Sequence, residues 1–506
     1  MAAKHYSIAV LGLGCIGSAA CRHLSMSSPD PSTIIGIGEA ESTPGTGSNC
    51  SFPTVFSSHY DQGRITRVVD PDAVWSHLAA KSISNYPEVE TKSGISFHGR
   101  VGFLRVSPFY GGAGDSLARS LEVGLQNGAE AEVADDASSR FPYFGFGDED
   151  VAVVENGGAG YVNPREMVRA QLAIARENGI RLVQETVTSI ERLGEGGGVK
   201  ISTRRGTSFL AARVLICTGA YTNFLLPKSL QLVVKIRAVS VVLAEIDGDE
   251  VKRLDGMPCF IWRLKSNPVL HSVYGCPPIQ YPDGRTYLKI GGTTWQPKIV
   301  STEEEFLEWF HGAGCKVETD ALLEVLLREL VPGLRVKSVK TKPCVVSYAA
   351  RNYPYMDKLS DEVFLAAFGC GASAKSSDEI GKMASSLVCN GEWSYDQLDS
   401  SLFRAVFAVD GDHDHSNYIL REKNREMDAS VEIYHARMWS SPGPFKKITT
   451  PFGGLHELER DIAKLLSAKS CNRDGGICAY ISWRYACWEL AGVGFSVDRR
   501  RSGNRL

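Results

Sequence analysis

The chain has no CxxC pair, and its 13 cysteines are scattered and odd in number. That argues against a disulfide framework and a zinc site, and for a reducing compartment with mostly inert thiols. No apolar run is long enough to cross a bilayer. Neither sign of charge is in excess: 55 Lys and Arg face 58 Asp and Glu, a net charge of −3. Nucleic acid and anionic membranes are therefore not expected partners. The opening MAAKHYSIAVLGLG lacks the processing end of a secretory signal and runs directly into a strand-like segment. Internal repeats and heptads are missing too. What remains is a globular composition, 43% hydrophobic and 22% charged, over 506 residues. That length exceeds one ordinary core, so two domains are expected.

The first motif is rich in glycine. Residues 6–11, YSIAVL, read as a buried strand, and GLGCIG follows with Gly12, Gly14 and Gly17 in G-x-G-x-x-G register. SAACRHL then continues as a helix of small and apolar residues. Such glycines permit a tight turn, close approach of backbone to a pyrophosphate, and close packing of helix on strand. A second strand is expected at 33–37, with Glu39 beyond it to accept hydrogen bonds from ribose hydroxyls. The acid comes late because SMSSPDPS forms a long surface loop. A lone glycine motif also marks plain strand–helix turns. Strand before, helix after, and strand plus acid beyond favour a dinucleotide, without separating NAD from FAD.

Further along, 74–86 reads as a helix ended by Pro87, and 94–106 as strands. NPREMVRAQLAIARENG is a punctuated helix: Asn163 caps it, Pro164 takes the first position, Glu166 sits three after the cap, and Gly179 closes it. A β-meander follows, turning at residues 194–198 (GEGGG). In RVLICTGAYTN a strand at 213–217 ends in Thr218, Gly219 and Ala220, small enough for backbone to lie against a cofactor. A βαβ start and a later strand ending in TGA is the order of FAD-binding two-domain oxidoreductases. Residues 229–342 hold strand runs and one helical stretch, 303–330, as a substrate-domain insertion would. The chain then returns to strand, glycine turn and helix in VFLAAFGCGASAKSSDEIGKMASSLV.

One loop, SSHYDQGRITR at 57–67, carries a His and two Arg where neutral residues are usual. Alone it reads as a surface loop with solvated ion pairs. Together with the other motifs, in order over about residues 6–405, it makes the chain resemble the amine-oxidising flavoproteins of the D-amino-acid-oxidase superfamily. The resemblance is greatest to the monomeric sarcosine oxidase branch, with its pipecolate, saccharopine and fructosyl-amino-acid oxidases and fungal N-methyl amino acid oxidases. It implies an α/β fold. A Rossmann-like (GR2-type) FAD-binding domain would comprise residues 1–95, 157–228 and 345–405. An inserted mixed β-sheet substrate domain would comprise 96–156 and 229–344, and 406–506 would be an extension of unknown role. It also implies a monomer acting on a small amine or amino acid and O2; the expected compartment, from cysteine usage and the chain's last residues, is the cytoplasm or peroxisome.

The resemblance assigns residues as well. The family's S-H-x-D-x-R-x-x-R loop is matched by Ser58, His59, Asp61, Arg64 and Arg67, with one residue inserted before Arg64. The first Arg packs near the flavin; the second binds the substrate carboxylate, a task suited to a planar bidentate donor. Cys344 matches the cysteine that forms a thioether to the flavin 8α-methyl group, with Pro354 and Asp357 at similar spacing. Lys289 matches a lysine near flavin N5, whose charge steadies superoxide as it forms. Lys375 matches a lysine beside the substrate carboxylate, at a helix start after Gly371 whose dipole favours an anionic reduced ring. Tyr274 matches a pocket tyrosine. Other readings stand beside these: Cys344 as an ordinary buried thiol, and Lys289 on a solvent face. Tyr287 and Lys289 share one face of their strand and Leu288 and Ile290 the other, so alternation leaves that choice open.

Two positions depart from the pattern: Val346 replaces an aromatic residue and Thr293 a histidine. The carboxylate clamp is kept while the amine end is rebuilt, so a secondary amino acid larger than sarcosine, or differently shaped, is expected. The expected reaction is FAD-dependent oxidation of a C–N bond to an imine, with O2 reduced to H2O2. The rivals are a dehydrogenase serving a protein or quinone acceptor, and a flavin-binding protein with a dead pocket. In the last hundred residues, HDHSNY (His413, His415) reads as a polar loop rather than a metal site, and FGGLHELERDIAKLL as a helix. The terminal Asn504, Arg505 and Leu506 faintly resemble a peroxisomal address.

Overall fold

Aliphatic runs punctuated by Gly, Pro and Asn set the strands. In the computed structural model, which describes residues 5–39, 55–108, 116–194 and 196–408, they begin with β1 (His5–Leu11), β2 (Ile34–Gly38), β3 (Arg64–Thr66), β4 (His98–Gly99), β5 (Phe103–Ser107), β6 (Ala131–Val133), β7 (Val151–Glu155) and β8 (Gly160–Val162). They continue with β9 (Arg181–Gln184), β10 (Val187–Arg192), β11 (Val199–Thr203) and β12 (Ser208–Ile216). The last are β13 (Val234–Ile246), β14 (Cys259–Arg263), β15 (Leu270–Gln280), β16 (Thr286–Thr294), β17 (Ser338–Ala349), β18 (Tyr355–Lys358) and β19 (Val363–Ala367). Six helices matter below: α1 (Cys15–Ser27), α2 (Ala73–Ser93), α3 (Pro164–Glu177), α4 (Glu303–His311), α5 (Lys316–Val325) and α6 (Ser373–Asn390).

The first sheet runs β10-β11-β12-β1-β2-β9, with β19 beside β12 and β18 beyond it. Its centre is parallel: β12, β1, β2 and β9 share one direction, and β19 joins them. The central strands are buried on both faces, as apolar runs such as IIGIG require. β10, β11 and β12 form the expected meander, closed by Leu193 N–H donating to Gly198 O at 3.0 Å. α1 and α6 cross at small residues; a Cβ at Gly381 would lie 2.4 Å from that of Ala19. Inside this helical layer Asp378 of α6 accepts from Arg22 of α1 (2.6 Å), Asn85 of α2 (3.0 Å) and Gln171 of α3 (3.1 Å). Burial pushes its carboxyl up, yet His23 and Arg22 outweigh that and hold it below the usual range.

The second sheet runs β17-β13-β16-β15-β14-β5-β7-β6. One face is a core: Val242, Ala244, Phe260, Trp262, Leu288 and Ile290 pack with Leu322 and Val325 of α5. By alternation, Arg237, Val239, Tyr274, Lys289, Cys344 and Val346 leave the opposite face. A small antiparallel sheet, β3-β8-β4, lies in the remaining chain. No described helix is long and apolar enough to cross a membrane.

The chain differs from expectation at four places. SMSSPDPS is not one long loop, because α1 runs on to Ser27 and Pro31–Thr33 form a 3-10 turn before β2. α2 does not stop at Pro87 but runs through it to Ser93, and Gly94, in the left-handed region at φ 66°, ends it. Tyr86 and Val89 are buried against Phe97, Val162 and Met167, and that packing outweighs one lost backbone bond. The stretch 303–330 is not one helix: Gly312 and Gly314 (φ 76°) separate α4 from α5, and 326–330 widen into a π turn. Asn163 does cap α3, accepting from Arg165 and Glu166 N–H at 3.1 and 3.2 Å, but the Glu166 carboxylate pairs with Arg169. The tail features, including His413, His415 and the terminal tripeptide, lie outside the described residues.

Candidate active site

A cavity of about 820 Å³ runs from the carboxyl ends of β1 and β2 to the polar face of the second sheet. At one end, Gly12 has φ 91°, and a Cβ there would lie 2.6 Å from Cys217 O; one at Gly17 would lie 1.9 Å from Gly12 O. Both positions require glycine. Gly14 differs: the nearest atom to a Cβ there is Ser57 Oγ at 3.5 Å, so this backbone faces the cavity. As the residue before α1 it offers no side-chain cap, which leaves the first N–H groups of the helix for an anion. Glu39 lines the same end, and Thr186 Oγ1 donates to its carboxylate.

The start of α6 meets the cavity in the same way, with no side-chain cap at Ala372. The loop before it is strained: Phe368, Cys370 and Gly371 have φ of 68°, 50° and 75°. It is held by Cys370 N–H donating to Ser347 O at 2.8 Å and Ala349 N–H to Cys370 Sγ at 3.5 Å. A Cβ on Gly371 would lie 3.3 Å from Val346 Cγ1, so this turn sits directly against β17.

Asp61 is the hub of a buried cation cluster. Lys289 Nζ donates to Asp61 Oδ2 at 2.6 Å and to Gly63 O at 2.7 Å. Arg64 pairs with the same carboxylate and donates to Ser58 O at 3.1 Å. Lys342 lies 3.5 Å from it and donates to Tyr60 O, while the Tyr281 hydroxyl donates to Asp61 at 3.0 Å. Three cations thus share one carboxylate. Lys289 is 2% exposed, which removes the solvent-face reading. Burial, and then the Arg64 guanidinium, push its ammonium down to about 7. The same two causes lower Lys342 well below the ordinary lysine range. Cys344 Sγ is 3.9 Å from Arg64 Nη2 and lines the cavity. His59 is neutral: burial, Arg165 and Arg64 lower it to about 3, and its Nδ1 lies 2.6 Å from Ser57 Oγ. Ser58, singled out in the sequence, contributes its carbonyl, whereas the neighbouring Ser57 contributes the hydroxyl.

A second carboxylate joins the other two expected cations. Arg67 Nη2 lies 3.0 Å from Asp70 Oδ2, and Lys375 Nζ 3.3 Å from the same oxygen. Lys375 also donates to Trp75 O at 3.1 Å. Arg67 Nε is buried and has no hydrogen-bond partner among the described residues. Burial pushes Asp70 up, but Lys375 and Arg67 prevail and hold it below its ordinary value. Burial lowers Lys375 to about 8, with Asp70 opposing. Beneath them Glu155 accepts from the Val68 and Val69 N–H groups at 2.8 and 2.9 Å, and burial raises its carboxyl.

Tyr274 lies across Gly291, where a Cβ would come within 2.4 Å of its ring; burial pushes its hydroxyl up. Val346 and Thr293 line the cavity. Asp357 instead accepts from Ala405 N–H at 2.8 Å and anchors the end of the described chain. Sequence reasoning missed Lys342 and Asp70. The signals were present: Lys342 is two residues before Cys344 on one strand face, and Asp70 is three after Arg67.

A family profile, DAO, described as FAD dependent oxidoreductase, matches residues 7–387. Monomeric sarcosine oxidase of Streptomyces avermitilis is 30% identical over 284 residues, 55% of this chain and 67% of that enzyme. Among solved structures, NikD, an unusual amino acid oxidase essential for nikkomycin biosynthesis, superposes with a TM-score of 0.63 at 16% identity, covering 80% of this chain and 98% of its own. L-proline dehydrogenase from P. horikoshii gives 0.59 at 17%, covering 79% and 97%. At such identities the two structures share the fold and no more.

Proposed function

The chain belongs to the DAO family of FAD-dependent oxidoreductases, and from that premise we propose that it oxidises the C–N bond of a secondary amine or amino acid to an imine, with O2 as acceptor. Two electrons and two protons leave the amine and end on O2 as H2O2. The observation that carries this reading is the buried Lys289, held with Arg64 on Asp61 in the cavity that begins at the Gly12–Gly17 turn. A redox reaction on O2 gains from a fixed cation in a dry site.

The residues present fit the cofactor. Gly12, Gly14, Gly17 and the start of α1 would hold the pyrophosphate of FAD, and Glu39 a ribose. Ser58, His59, Gly371 and the start of α6 would line the ring system, with Cys344 as its thioether partner. When bound, FAD supplies the redox chemistry, taking a hydride equivalent from the amine and passing electrons to O2. The chain supplies position and charge. Arg67 and Lys375 hold the substrate carboxylate; with Asp70 they keep one net positive charge, matched by one carboxylate. Asp70 also fixes both cations before substrate arrives. Neutral His59 acts as a hydrogen-bonding group rather than a charge. Arg64, and Lys289 while it holds its proton, keep positive potential where O2 is reduced. The enzyme works as a monomer in a reducing compartment, cytoplasm or peroxisome; all described cysteines are free thiols.

An anaerobic screen of N-methyl and cyclic amino acids tests the proposal. Expected is bleaching of the flavin by at least one of them, then uptake of one O2 per substrate with release of H2O2. Bleaching without oxygen uptake identifies a dehydrogenase; no bleaching at all sinks the reading.

A further inference from the structure

Another cation, Arg237, lines the cavity, and no described carboxylate forms an ion pair with it. Arg237 lies opposite Val346 in the β13–β17 ladder, so its side chain leaves the sheet face that carries Cys344, Val346 and Lys289. Its guanidinium lines the cavity and lies 5.5 Å over the Tyr348 ring. Nη2 donates to Thr294 O at 3.4 Å, a long bond, and Nε is buried without a hydrogen-bond partner among the described residues. Of the cations on the cavity wall nearest to it, Arg64 and Lys289 share Asp61, and Arg67 and Lys375 share Asp70. No described carboxylate pairs with Arg237. The Tyr348 side chain is also a hydrogen-bond partner of the guanidinium, but neither it nor the Thr294 carbonyl carries the negative charge that would balance a half-buried cation. The side chains beside it are short. Val346 faces it across the ladder and Thr293 lies near the end of β16, so the planar donor stays open to the cavity.

We propose that Arg237 binds a second acidic group of the substrate. The amine oxidised here then carries two carboxylates, one on Arg67 and Lys375 and one on Arg237. The charges agree: Arg67, Lys375 and Asp70 leave one positive charge, and Arg237 adds another. This rests on the amine-oxidase reading and narrows it to secondary amino acids with a second carboxylate, on the side chain or the N-substituent. Fork-shaped recognition of a carboxylate is what a guanidinium supplies and a lysine does not.

Thioethers, with sulfur in place of the amine nitrogen, report binding without turnover. The holoenzyme is titrated calorimetrically with (methylthio)acetate, thiodiglycolate and (carboxymethylthio)propionate. The wild type should bind at least one diacid about 10- to 100-fold more tightly than the monoacid. Arg237→Gln should remove that preference and leave the monoacid within about threefold, while Arg237→Lys retains part of it. Should Arg237→Gln yield no holoenzyme, Val346→Phe, which fills the space before the guanidinium, must remove the same preference. Equal binding of monoacid and diacids by the wild type, or equal weakening of both by Arg237→Gln, overturns the inference and leaves the oxidase reading standing. Failure of every acid to bind also overturns it; if no amine bleaches the flavin either, the oxidase reading falls with it.

Discussion

Lys289→Met removes one ammonium and little volume. Asp61 is not orphaned by the change, because Arg64, Lys342 and the Tyr281 hydroxyl still hold it. The fold should therefore survive, and the loss should fall on chemistry. Below about pH 7, where Lys289 holds its proton, the substitution takes one positive charge from the Asp61 cluster. A unit charge about 4 Å from a developing anion contributes roughly 4 kcal/mol where the effective dielectric is about 20. Removing one preorganised stabilising group typically costs about 10²- to 10³-fold in rate. Below about pH 7, reoxidation by O2 should slow by that factor, and reduction by substrate by less than about threefold. The pH profile sharpens the test. Lys289 keeps its proton below about pH 7 and loses it above, so wild-type reoxidation should fall as pH rises through that value. The variant should be flat there. Stopped-flow mixing of reduced holoenzyme with oxygenated buffer reads one half-reaction, and anaerobic mixing with substrate the other. Equal slowing of both halves, or an unchanged pH profile in the variant, would refute the assignment.

If Cys344 forms the thioether, acid-precipitated wild-type protein stays yellow and Cys344→Ala releases all of its flavin; flavin freed from the wild type by acid refutes the link. Arg67→Gln should weaken carboxylate substrates roughly 30- to 3,000-fold and barely affect a matched amine without the carboxylate, read by rapid anaerobic reduction. Because Lys375 keeps its proton only below about 8, carboxylate affinity should fall as pH rises through that value, and a flat profile would count against its role. Asp378→Ala leaves Arg22 buried without its partner and should cost about 3–5 kcal/mol of stability, measured by denaturant unfolding.

Local rules made much of this molecule readable. The GLGCIG turn is legible because backbone geometry at Gly12 and Gly17 admits no side chain. The Asn163–Pro164 start of α3 is legible because capping is a contact between near neighbours. Pro87 misled because its local penalty was outweighed by the burial of Tyr86 and Val89. Alternation along β16 showed that Lys289 and Leu288 face opposite ways, but not that both faces are covered. The partners that decide the site's charge lie far away in sequence. Asp61 meets Lys289 across 228 residues, and nothing local to either marks the pair. Arg237 was passed over for the same reason: its interest lies in having no carboxylate beside it among the described residues, which becomes visible only when its neighbours are placed.

The interleaving of the two sheets has a consequence for synthesis on the ribosome. The first sheet is begun by β1 and β2 but needs β19, and α6 to cover α1, from the far end of the described chain. The second sheet takes all its strands from the interval between, Phe103 to Ala349. As the chain emerges, α1 therefore waits with its small-residue face uncovered, and Arg22 waits without Asp378, until nearly four hundred residues are made. The inserted sheet has its full set of strands before the sheet that hosts it. A nascent chain stalled between Ala349 and Ser373 would carry a second sheet with all its strands and a first sheet still lacking β18, β19 and α6, a species prone to association through apolar surface.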